Sequence, residues 1–431
     1  MLKQLSGGAA IATLLAGSAV AGPGGDAFRD ALYAGELAKG VGTLTPLAAG
    51  SDQEAKFGLG ALQFLQGFEG LVQALYRHGL SSPDAGPLGP VLGIPVPQNV
   101  LAEPLDYGKF RTILQNLVTA MDTARATLTQ AGESGDYVIE VDLARVRFDI
   151  NADGKADASE SVGALFRTLA GVEAQPPEPL PNPTTPETGG VTSAPSEEGS
   201  GAAEQMLIGL DRADAIWLAG YSEVFAIQSD FFLAHDFTDF FNSIFHRFFP
   251  RARLPMQPYA QGGSLVMDPQ TDTAIADAVA AIHTLNWPVV EPERLKGVLE
   301  RAGAVTNFSR ANWAAILLET DDNHELLPSP RQTGPSGEQV TQEQVDAWLK
   351  TLDDVDGVIA GELLLPHWRF RQGFDLKAYF ETATRTDLVM LLTGMGALPY
   401  LKDGPIANAE VFAAANRAFG ENLIGYAFWF N

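Results

Sequence analysis

The stretch LDYGKFRTILQNLVTAMDTARATLTQAG, residues 105–132, carries Phe110, Ile113, Leu114, Leu117, Val118 and Met121. These positions recur every three or four residues, so on a 3.6-residue turn they form one apolar face. The stretch predicts a long amphipathic helix with one side buried. The same period extends outward. DAFRDALYAGELAK (26–39) and QEAKFGLGALQFLQGFEGLVQALYRHG (53–79) read as helices, the second stopped by Gly79. Downstream, Thr341 and Gln344 form a capping box that opens another, and NAEVFAAANRAF reads as one more. Regular alternation at two residues is nearly absent, and no repeat of solenoid length appears. The fold class is all-α, an irregular multi-helix bundle.

The 431 residues suffice for two or three domains, and a hydrophobic content of 46% permits a sizeable core. With 28 basic against 53 acidic residues the formal charge is −25. Phosphates would be repelled, so nucleic acid is excluded as a partner. Such a charge suits a soluble exported protein. There is no cysteine, which removes disulfides, a lipoprotein anchor, thiol catalysis and cysteine-held zinc. MLKQLSGGAAIATLLAGSAVAG has the order of a signal peptide: Lys3, a short apolar run, then Ala19-Val20-Ala21. Cleavage near Ala21 would leave a periplasmic or secreted chain, and no later segment reads as transmembrane. Residues 174–204 hold seven prolines among Gly, Ser, Thr and Glu, and are expected to be a disordered linker or loop. The organisation read from the sequence is a signal peptide over 1–21, a helical region over 22–173, that linker, and a second helical region over 205–431.

DINADGKADASE, residues 149–160, places oxygen donors at fixed offsets. Calcium takes six to eight oxygens from a chain that curls around it. Asp149, Asn151 and Asp153 alternate as donors, Gly154 sits at the sharp turn, and Lys155 offers its carbonyl. Asp157 stands where a ligand often acts through water, and Glu160 where a bidentate carboxylate closes the shell. The pattern resembles the EF-hand family over less than a tenth of the chain. The resemblance implies Ca2+ and a helix–loop–helix, with Phe148 ending the entering helix. Val162, Leu165, Phe166 and Leu169 would lie on the exiting one, which Gly171 would stop. Two departures stand out. Ala156 replaces the branched apolar residue that paired hands use to bridge, and the entering segment is rich in β-branched residues. The rest of the chain is similar to exported bacterial helical proteins.

Other chemistry is weaker. On one helix over 234–249, His235, Asp239, Asn242 and His246 would fall within about 60° of one another, opposite a phenylalanine face. Such a stripe could hold a metal or do acid–base work, but no third or fourth ligand is identifiable, so a solvated face is expected. His367, Trp368, Arg369 and Arg371 could stack on a planar ligand or bind an anion; a structural role is the plainer reading. No nucleophile elbow, P-loop or dinucleotide fingerprint occurs. The expected function is an exported calcium-binding helical protein with calcium mainly structural, a binding or structural module. The alternatives are a periplasmic hydrolase with its site in the C-terminal half, and a module presenting an aromatic groove.

Overall fold

The computed structural model describes residues 22–81, 96–157, 160–161, 206–259, 263–335, 337, 339–407 and 409–430. The expected signal peptide, the exiting helix after the calcium-type loop and the proline-rich segment lie outside the described residues.

The apolar periods become helices. α1 (Pro23–Ala34) and α2 (Leu37–Ala48) part at Gly35, whose φ of 66° ends α1, so the single helix expected over 26–39 is two. α3 (Gln53–Arg77) and α4 (Tyr107–Gly132) begin where Asp52 and Asp106 accept N–H bonds from Ala55 and Lys109. Gly79, at φ 71°, closes α3 as expected. Then follow β1 (Ile139–Asp142), β2 (Leu207–Leu210), α5 (Arg212–Ala234), α6 (Thr238–Phe248), α7 (Pro269–Thr284), β3 (Asn286–Pro288) and α8 (Pro292–Ile316). The chain ends with α9 (Gln342–Ile359), β4 (Gly373–Phe374), α10 (Leu376–Thr382), β5 (Arg385–Asp387), α11 (Leu388–Thr393), β6 (Leu401–Lys402), α12 (Ala409–Ala418) and α13 (Leu423–Phe430). The capping box at Thr341 is formed, with each side chain bonded to the other residue's N–H. Most of the described chain is helical, as the periods predict. The strands form three short antiparallel pairs, β1 with β2, β3 with β5 and β4 with β6.

Residues from both sides of the proline-rich segment share one core. Phe57, Leu62 and Met121 pack in the same cluster as Ile208, Ala215 and Ala219. A second cluster sets Phe110, Ile113 and Leu114 of α4 against Phe240, Phe241 and Phe245 of α6. The pairing of β1 with β2, with Ile139 opposite Leu210, brings the ends of the intervening 143–206 segment together. Near the C-terminus Phe430 is buried and lies 4.8 Å from Trp313, ring centre to ring centre.

Helices α4, α5 and α8 meet along a seam of charge. Arg301 of α8 grips both Asp122 oxygens of α4 at 2.8 and 3.0 Å and bonds Glu223 and Asp230 of α5. One turn pair earlier, Arg294 bonds Asp230, Glu291 and Gln115. Arg111 of α4 ties Glu291 to the carbonyls of Leu233 and His235. Glu223 and Asp230 are buried, so each needs its arginine; an ion left alone in a low-dielectric interior is costly. Arg301 shares Glu223 with Arg125 and Asp230 with Arg294, so its removal weakens the seam without leaving either acid unpaired. Arg301→Ala is therefore expected to cost about 1.5–3 kcal/mol in denaturant unfolding. Glu300→Ala, at the exposed neighbouring position, should stay within about 0.5 kcal/mol. A loss at Arg301 no larger than that at Glu300 would contradict this account of the seam.

Candidate metal centre

Residues 149–157 fold into a tight turn organised by their own side-chain oxygens and by Glu160. The Asp149 carboxylate accepts the N–H groups of Asp153 and Gly154, at 3.1 and 2.9 Å. Asn151 accepts from Asp153 N–H, and Asp153 from Lys155 N–H. Gly154 has φ 81°, a region that a side chain makes costly, so the glycine is used for its backbone. Glu160 closes the loop from beneath. One of its oxygens accepts from Ile150 and Asn151 N–H, the other from Asp157 N–H, and it is buried. Asp149 and Asn151 are half-buried, whereas Asp153, Lys155 and Asp157 face solvent. At the base, Phe148 N–H bonds the Glu160 carbonyl, and Arg147 bridges to Ser161 in antiparallel fashion.

The loop is clamped by elements far away in sequence. Glu69 of α3 accepts the Asp149 N–H at 3.0 Å, and Gln73, one turn on, donates to the Asp149 carbonyl at 2.7 Å. Burial pushes the Glu69 carboxyl above its ordinary value; the Asp149 N–H bond opposes this, and the charges of Asp149 and Glu160 add to it. Arg147 N–H bonds the Leu32 carbonyl at the end of α1. Gly35, just past that end, lies so close to the loop that a Cβ there would sit 2.1 Å from the Ala156 Cβ. That contact leaves room for no side chain at Gly35 and sets Ala156 directly against the end of α1.

The entering element corrects the expected helix–loop–helix. β1 and a 3-10 turn over Leu143–Arg145 lead into the loop, not a helix. Val141 and Ile139 are buried on one side of β1. Their β-branched alternation suits a strand, and the partner strand β2 lies more than sixty residues away in sequence.

The histidines do not converge. His235 is not on α6, and it is fully buried, so the expected solvated stripe is corrected. It caps α5 with its backbone. Its Nδ1 donates to the Phe231 carbonyl, and its Nε2 accepts from Thr386, whose oxygen in turn takes the Tyr379 hydroxyl proton. Burial selects the neutral ring, and with it this direction of the Thr386 bond. His246 is also buried, bonded through Nε2 to Asp277, which also pairs with Arg247. The burial comes from α7, which periodicity within α6 alone does not reveal. Asp239 is exposed and Asn242 half-buried. His367 bonds the Leu391 carbonyl, while the Arg369 guanidinium lies 4.7 Å over Trp368, so that cation–π contact is made within the chain.

The structure brings together acids that periodicity did not single out. Among the described residues, Asp211, Glu319 and Glu325 are the trio whose carboxylate oxygens all lie within 4.8 Å of one another. Burial, with the Asp211 charge beside it, pushes Glu319 up to about 8 and, with the Asn323 N–H opposing, Glu325 up to about 7. In sequence only the density of acids in ETDDNHE, residues 319–325, hints at this. Compared with protein-family models, curated proteins and solved structures, the chain matches none.

Burial pushes the His235 imidazole below its ordinary value of 6.5, with the Phe231 bond opposing. The Arg111 guanidinium, held on the His235 carbonyl, also disfavours a second cation there. The unfolded chain takes up this proton at about 6.5 and the folded one only lower. Stability from this group is thus full above that value and is lost as pH falls. Denaturant unfolding at about pH 7 and about pH 5 should show a smaller pH-induced loss in His235→Gln than in the wild-type chain. Equal losses would contradict the neutral assignment.

Proposed function

We propose that the protein is an exported calcium-binding helical protein in which Ca2+ at 149–160 acts structurally, and that the chain serves as a binding or structural module. The observation that carries the reading is the clamped loop. The side-chain oxygens of Asp149, Asn151, Asp153 and Glu160 already take up the backbone N–H groups that fix its shape, and α1 and α3 hold it from outside. Asp149, Asn151, Asp153, the Lys155 carbonyl, Asp157 and Glu160 would hold the ion. Calcium takes a shell of oxygens of this kind, but the loop's carboxylates are not among the described acids that already lie within 4.8 Å of one another, so an ion would have to draw them together against their mutual repulsion. The ion's role would be to join the β1 excursion to α1 and α3, which suits a chain without disulfides.

Export rests on the leader-like sequence alone. No helix among the described residues is long and apolar enough to cross a membrane. A binding role draws support from an exposed apolar stripe on α7, Ile275, Val279 and Ile282, continued by Leu265, Val266 and Met267. The aromatic residues of α6 are in the core, so the stripe is aliphatic. The hydrolase alternative draws no support from the histidines, since His235, His246 and His367 sit in separate environments.

Extracellular hands bind at about 10⁻⁴ to 10⁻³ M, and at about 100 times the dissociation constant a bound ion adds about 2.7 kcal/mol. Thermal unfolding with calcium and with chelator measures this. The wild-type midpoint should rise with calcium, and Glu160→Gln should lose much of that rise, because an amide cannot offer two anionic oxygens. An equal calcium-induced rise in both proteins would contradict the assignment.

A further inference from the structure

We propose a second cation site, separate from the loop, in which Asp211, Glu319, Glu325 and the side-chain oxygen of Asn312 bind one hard divalent ion, calcium being the best fit. The three acids come from three places: the start of α5, the turn after α8, and the strand-like segment beside β2. Oxygens that all touch one Ca2+ at about 2.4 Å can be no more than about 4.8 Å apart. The trio meets that limit.

The second observation is Asn312. It is 1% exposed, and neither its Oδ1 nor its Nδ2 has a hydrogen-bond partner among the described residues. An amide left so costs free energy unless something in the cavity satisfies it. Asn312 lines the same small cavity as Asp211, Asp214, Trp217, Glu319 and Glu325. The space between them is that of one water-sized sphere. A cation there would take the amide oxygen and relieve the repulsion of the acids at once.

The donors fix the class of ion. All are oxygens, three of them anionic, which selects a hard cation. The cavity leaves little room for water, and magnesium keeps several of its own, so calcium fits better. Surrounding bonds orient the ligands: Gln332 donates to Glu319, Asn323 N–H to Glu325, and Ala213 N–H to Asp211. The positive end of the α5 dipole works against a cation, and the two acids of its capping box offset it.

Trp217 in the cavity wall makes the site readable on its own. Terbium, a calcium mimic, should show emission excited through tryptophan when added to the full chain, and calcium should compete it away. Glu325→Gln and Asn312→Leu should each weaken that signal about tenfold or more in apparent affinity, while Glu160→Gln keeps it. Trp217→Phe should remove the emission. Circular dichroism identifies any variant that fails to fold. Absence of tryptophan-sensitised emission in the wild-type chain would overturn the proposal, as would unchanged emission in folded Glu325→Gln and Asn312→Leu. Failure of the loop reading instead would show as calcium binding indifferent to Glu160→Gln, a separate result.

Discussion

The Arg301 guanidinium, ringed by Asp122, Glu223 and Asp230, fixes how α8 lies against α4 and α5. Much else in the molecule follows from that register. α5 and α8 run in opposite directions, so Asp230 meets Arg294 at one end while Asp211 meets the Asn312–Glu319 region at the other. The start of α5 is tied to β2, β2 to β1, and β1 leads into the 149–160 loop. A charged interaction in the middle of the bundle thus positions both carboxylate clusters. Hydrophobic packing alone is non-directional and would tolerate sliding along the helices; four bonds from one planar guanidinium do not.

A chain this acidic must dispose of its carboxylates, and three means are visible. Arginines neutralise those in the seam. Backbone N–H groups receive others, as at the helix starts and around Asp149 and Glu160. A third set, Asp211 with Glu319 and Glu325, has no arginine or lysine on its carboxylates among the described residues, and burial pushes all three above their ordinary values. The two readings of calcium advanced above are applications of this single problem. In each place the geometry of the acids is fixed by surrounding hydrogen bonds before any ion is considered.

What was legible in the sequence was local. The face of residues 105–132, the Thr341 capping box and the Gly79 stop each depend on residues a few positions apart. The turn over 149–160 was legible for the same reason. The strand entering it was not, because β1 is stabilised by β2 across a long excursion. Glu69 and Gln73 were missed because an acid and an amide four apart on α3 are ordinary for an exposed helix face. His246 was read as solvated since only tertiary packing of α7 buries it. The seam left a faint trace: Glu223 with Asp230, and Arg294 with Arg301, are seven apart and so share a face, with opposite signs on the two helices. Asn312 left none, because an amide on a helix of mixed polar and apolar residues acquires meaning only from the acids opposite.

The central claim is that the 149–160 loop is a calcium site and not only a polar turn. It is tested most directly by the anomalous difference density of crystals grown in calcium. The account expects a strong peak enclosed by the side chains of Asp149, Asn151, Asp153 and Glu160 and the Lys155 carbonyl, with oxygens at about 2.3–2.6 Å. A well-ordered loop with only water at that position, in crystals at millimolar calcium, would contradict it.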